Sequence, residues 1–222
     1  MENKTQTQKE INDALVDVRK AHRLIYQYQK RVIDIIYYIR ERYSMPQFAG
    51  VRRFCNTINY KQGLKEEYDV KMLRLERNMW GWDFLYSYLF EFYLGTKKFS
   101  KKEISFSIIE ASDSGFYQSK QTNKHQTNIS SFSDVEESET CLIFVFESVT
   151  SKKKDYVWDM DNAIQKLLEV EIEIITKTTE DNYFIAKKYN LTDFVDQSST
   201  DKVIEEFSRT VENKTGIKLL EK

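Results

Sequence analysis

Residues 5–43 contain neither proline nor glycine, and their apolar side chains return at alternating spacings of four and three. The series is Ile11, Leu15, Val18, Ile25, Val32, Ile36 and Ile39, with His22 and Gln29 filling its two gaps. Such alternation is a heptad seam and predicts one amphipathic helix over residues 8–43. A second row, Ala14, Ala21, Tyr28 and Ile35, makes the apolar face wider than a strict two-stranded seam. At about 1.5 Å per residue the helix reaches roughly 55–60 Å, longer than a domain of this size covers alone. Part of that face must meet a second copy, a partner protein, or the chain's own sheet. The seven seam residues are therefore expected at an interface, and His22 and Gln29 are read as polar residues that set its register rather than as ligands.

Ser44-Met45-Pro46 should end the helix, because the residue before a proline is driven out of the α region and Pro46 is the chain's single proline. Residues 1–46 thus form a coiled-coil-like helix, 47–78 a connector, and 79–222 an α+β sheet domain. From residue 79 the period changes to two. Trp80, Trp82, Phe84, Tyr86, Tyr88, Phe90, Phe92 and Leu94 hold every even position, which predicts a long strand with one aromatic face. Gly95 and the lysine-rich residues 96–102 are read as the turn into a second strand, 103–111. Residues 112–138, rich in Ser, Thr, Asn and Gln, form an aperiodic polar loop. A third strand follows at 140–149, apolar on both sides as a central strand should be. Val170, Ile172 and Ile174 alternate with glutamates and pair with a strand at 183–189 in a hairpin, and Ile204, Phe207 and Val211 mark a closing helix at 198–213. The expected fold class is α+β, with a long N-terminal helix, about five mainly antiparallel strands and a C-terminal helix.

Charge is uneven along the chain. Residues 1–80 hold 16 Lys+Arg against 10 Asp+Glu, while the whole chain carries 34 against 35. Nine of the ten arginines lie between residues 19 and 77. An arginine fork grips phosphates and carboxylates in pairs, so Arg19, Arg23, Tyr26 and Lys30, which share one helical stripe, and Arg52-Arg53 in the connector are candidates for binding a polyanion or an acidic protein.

Catalytic signatures are scarce. Six glycines compose no phosphate-binding loop, and two cysteines and two histidines lie too far apart for metal-ligand spacing. No catalytic residue is assigned and no cofactor is expected. The alternative is a Mg²⁺-dependent nuclease or phosphodiesterase, in which Glu110, Asp113 and Glu147 at strand ends converge on one ion. Asp159-Met160-Asp161 matches a metal-binding DxD only as a three-letter pattern. Cys55 and Cys141 are too few for a disulfide framework, and neither an apolar leader nor a membrane span is evident, so a cytoplasmic protein is expected. The functional expectation is a non-enzymatic interaction protein that self-associates or binds a partner through its N-terminal helix, with nucleic-acid binding as the alternative and no membrane partner.

Overall fold

A computed structural model of the chain describes residues 7–51, 73–74, 89–124, 128–150, 158–178 and 181–220. Helix α1 spans Gln8–Arg42 without interruption. Its N-cap Thr7 forms a reciprocal capping box with Glu10, and Arg40 and Arg42 sit in the last turn, where positive charge complements the helix dipole. The chain continues through β1 (Ala49–Val51), β2 (Leu73–Arg74), β3 (Leu89–Phe99), β4 (Lys102–Ala111), the short α2 (Gly115–Gln118), β5 (Cys141–Thr150) and α3 (Met160–Glu169). It closes with β6 (Glu173–Lys177), β7 (Tyr183–Asn190) and α4 (Gln197–Thr215). The strands form one sheet in the order β2-β1-β3-β4-β5-β7-β6, and every neighbouring pair is antiparallel. The fold is therefore α+β as expected, with more strands than the pattern implied.

Alternation along the strands divides the core in two. Phe90, Phe92, Phe106, Ile108, Leu142, Phe144 and Phe146 point to one face, where they meet Val32, Ile36 and Ile39 of α1 and Ile204, Phe207 and Val211 of α4. On the opposite face Ile109, Ile143, Val145 and Ala186 pack against Ile164, Leu167 and Leu168 of α3. Strand β5 is buried on both sides because helices cover both, which is why its sequence is a continuous apolar run. Phe106, Phe144 and Phe207 make edge-to-face contacts at the centre of the first layer, with ring centroids 5.3–5.8 Å apart.

The C-terminal half of α1 is fastened to α4 by polar contacts as well as packing. Tyr43 Oη donates to Ile204 O at 2.9 Å. Tyr38 Oη and Arg42 Nε both donate to Asp201 Oδ1, at 2.8 and 2.9 Å.

Three expectations need correction. The aromatic alternation between residues 79 and 88 lies outside the described residues, but the strand it predicts does not stop at Gly95. Instead the register shifts between Tyr93 and Gly95, where Gly95 adopts φ +104°, and the strand runs on to Phe99. This is a β-bulge, and the turn is the two-residue Ser100-Lys101, with Ser100 at φ +56°. Helix α3 was not anticipated, although Met160, Ala163, Ile164, Leu167 and Leu168 carry helical spacing. Asp159 accepts a hydrogen bond from Asn162 N at 3.1 Å and so caps α3; the DxD triplet is a helix start. The polar stretch 112–138 is more ordered than its composition implied. It contains α2 and a 3₁₀ turn at Ile129–Ser131, joined where Ser119 Oγ donates to Ser131 O at 2.6 Å.

Candidate functional site

The heptad seam of α1 has two fates. Val32, Ile36 and Ile39 are fully buried in the core, so these three residues, expected at an intermolecular interface, are covered by the chain's own sheet and α4. Ile25, half-buried, marks the border. On the N-terminal side of that border every residue from 8 to 24 is exposed. Ile11, Leu15 and Val18 retain 45%, 46% and 48% exposure, and Leu24 lies open beside them. A segment about 25 Å long, at 1.5 Å per residue, therefore projects from the body with its apolar seam uncovered.

This projection has weak means of holding itself helical. Its capping box and one i,i+3 ion pair, Asp17–Lys20 at 3.0 Å, contribute little at such exposed positions. A helix of this length without tertiary packing is marginal in water, and most helical stability in proteins comes from burying an apolar stripe. Docking of the Ile11–Leu15–Val18 stripe would supply that burial.

The basic residues divide at the same border. Arg31 donates to the carbonyls of Phe194 and Val195, both at 2.9 Å, Arg40 to Gln47 O at 3.2 Å, and Arg42 to Asp201. These three arginines hold the fold. Arg19, Arg23 and Lys30 are exposed on the outer stripe and Tyr26 is half-buried beside them; Arg52 and Arg53 lie outside the described residues.

The three carboxylates proposed for a shared Mg²⁺ are not brought together. Glu110 pairs with Leu142 across β4 and β5, whereas Glu147 pairs with Ser105. They are thus five strand positions apart, on opposite faces of the sheet, because side chains alternate with period two. A separation of that order is far beyond what one ion's bonds of about 2.0–2.6 Å can bridge. Asp113 serves a turn instead, its Oδ1 accepting from Gly115 N at 2.7 Å. Among the described residues no group of three or more His, Cys, Asp or Glu side chains is placed to hold a metal ion.

Glu110 has a different character, which the sequence did not reveal. It is 1% exposed beneath α1. Ser112 Oγ donates to its Oε1 at 3.1 Å, and Tyr28 Oη donates to Ser112 Oγ at 3.3 Å. Burial pushes the carboxyl above its ordinary range, while the Tyr28 and Ser112 hydrogen bonds pull the other way. Its Oε2 has no hydrogen-bond partner. This buried acid sits where α1 leaves the body, below the root of the projecting segment.

On the surface of α4 a shallow depression is lined by the polar residues Gln197, Ser198, Asp201, Lys202 and Glu205, unlike the mostly apolar clefts that enclose ligands. Among the described residues no helix is long and apolar enough to cross a membrane.

A family model, PM0109, matches residues 8–216. The match begins at the first residue of α1, so the projecting segment lies within the family's unit. No curated protein matches the chain, and no solved structure matches it.

Proposed function

The chain belongs to the PM0109 family, and we propose that it acts as a non-catalytic assembly protein, docking through the projecting half of α1. The observation that supports this reading is the division of one continuous seam. The residues that meet the body are sealed, and the equivalent residues beyond it are left open although they carry the same apolar pattern. An exposed apolar stripe on a projecting helix suits the helix-in-groove or helix-on-helix mode of recognition. The sheet and its two covering layers form the compact body that holds the helix in place. Activity is expected in the cytoplasm, the compartment that suits a buried free thiol at Cys141.

Sedimentation velocity on the full chain, up to about 100 µM to reach weak complexes, tests the reading. The wild type should self-associate, or else retain host proteins that the Leu15→Glu/Val18→Glu double variant loses. A wild type that is monomeric throughout and captures the same proteins as the variant would overturn it.

Arg19, Arg23 and Lys30, exposed on the same projection, favour a second reading in which the outer stripe follows a nucleic-acid backbone. Filter binding at low salt tests it: retention that falls as salt rises supports it, and no retention removes it.

A further inference from the structure

Building on the docking role just proposed, we infer that the occupant of the projecting face is a second copy of this chain, lying antiparallel to the first over residues 8–25.

The first argument is steric. The seam that projects at Ile11, Leu15 and Val18 is the seam that enters the body at Gln29, Val32 and Ile36, where the sheet and α4 already fill it. A helix lying on the open stripe must stop where the body begins, near residue 25. In a parallel pair with axes about 8–10 Å apart, each helix would carry its own sheet into the space taken by its neighbour's. An antiparallel pair avoids this collision, because the N-terminus of each helix ends against the body of the other and the two bodies stand at opposite ends.

The second argument is the order of charges. Along the projection the first half, with Lys9, Glu10, Asp13 and Asp17, is net acidic, and the second half, with Arg19, Lys20 and Arg23, is basic. In a parallel pair like charges would lie side by side at both ends. Reversing one helix lays the acidic half of each copy along the basic half of the other, and it also opposes the two helix dipoles favourably. With residue 8 beside residue 25 of the second copy, Leu15 meets Val18, Ile11 meets His22, and Glu10 comes level with Arg23.

The shared length is short, about 25 Å of helix from each copy, and its buried area falls at or below the ~1,200–2,000 Å² of a standard interface. A weak dimer that forms and separates with concentration is expected.

Disulfide trapping on the full chain tests orientation. Ile11→Cys protein is mixed with His22→Cys protein under mild oxidation, and peptide mapping identifies which positions have joined. Both proteins also carry Cys55→Ser, and the remaining native Cys141 is 1% exposed and does not compete. Bridging needs Cα atoms within about 7 Å, so the expected product is the mixed 11–22 link, several-fold above any self-link in either protein alone. Both positions are exposed, and unchanged far-UV circular dichroism verifies that each variant folds. Self-linking of Ile11→Cys would overturn the antiparallel arrangement while leaving self-association intact. No link, together with a monomer in sedimentation, would overturn the second copy as occupant. In that case loss of captured host proteins by the Leu15→Glu/Val18→Glu variant preserves the docking role, and an unchanged set removes that role as well.

Discussion

Val18 and Val32 stand on one stripe of a single helix about four turns apart, yet Val32 is completely buried and Val18 is nearly half exposed. The same residue type on the same seam therefore does two jobs. Ile36→Ala should cost about 2–5 kcal/mol of folding stability through lost burial and the cavity left behind. Leu15→Ala, measured where the chain is monomeric, should stay within about 0.5 kcal/mol. Urea denaturation at low and high protein concentration checks both, and the Leu15→Ala deficit should grow only at the higher concentration.

Glu110 gives the protein a pH dependence of known sign. Its folded-state carboxyl titrates above the unfolded one because burial disfavours the anion. Below the unfolded value both states are protonated and burial carries no ionic cost. As pH rises past that value the folded state binds more protons than the unfolded, so stability falls, and the loss is complete above the folded-state pKa. Glu110→Gln should thus raise the melting temperature at neutral pH, with the gap from wild type closing towards pH 4. Tyr28→Phe should do the reverse, costing about 1–3 kcal/mol at neutral pH by weakening the hydrogen-bond chain to a buried acid.

Gly95 and Gly216, the glycines with positive φ among the described residues, differ in surroundings, and their substitution should differ in consequence. At Gly95, φ +104°, an added Cβ would come 3.0 Å from Gln47 Cβ, Gln47 Cγ and Pro46 Cγ. At Gly216, φ +73° in the C-cap of α4, the space is open. Gly216→Ala should cost about 1–2 kcal/mol, the left-handed penalty alone. Gly95→Ala carries strain and a clash with the segment after α1, and its melting temperature should fall further.

Asp181 lies between Lys102 and Lys177, at 2.8 and 3.0 Å. Hydrogen bonds from Lys102 first, then Lys177 and Tyr183, hold its carboxyl well below the usual range. The folded pKa is depressed, so its contribution is present above the unfolded value of 3.8 and lost as pH falls through the folded one. Asp181→Asn keeps a residue that tolerates the left-handed conformation at φ +61°. It should lower the melting temperature slightly at neutral pH, less so in high salt, and not at all in strong acid.

Most of the fold was legible because it rests on periodicity. The seam of α1, the alternation of Phe90, Phe92 and Leu94 in β3, the doubly apolar β5 and the spacing of Ile204, Phe207 and Val211 each predicted their element. The misses have physical causes. The bulge at Gly95 hides a strand's continuation behind a residue that also marks turns, and α3, at ten residues, is too short for its apolar spacing to stand out from the flanking polar sequence. The site was half legible. Composition could show that α1 had apolar surface to spare, but not where its body ended, since Val18 and Val32 look alike until the sheet is folded beneath one of them. The carboxylates misled because Glu110 and Glu147 share a strand pair while facing opposite ways, a matter of register that no single strand reveals.

Hydrogen exchange along α1, followed as a function of protein concentration, tests the central claim most directly. Amides of residues 29–39 should be protected at every concentration, as befits a helix sealed in the core. Amides of residues 11–24 should exchange rapidly in dilute solution, where the projection frays, and gain protection as the protein is concentrated. Protection of residues 11–24 that stays constant across the whole range, whether high or low, would contradict the account.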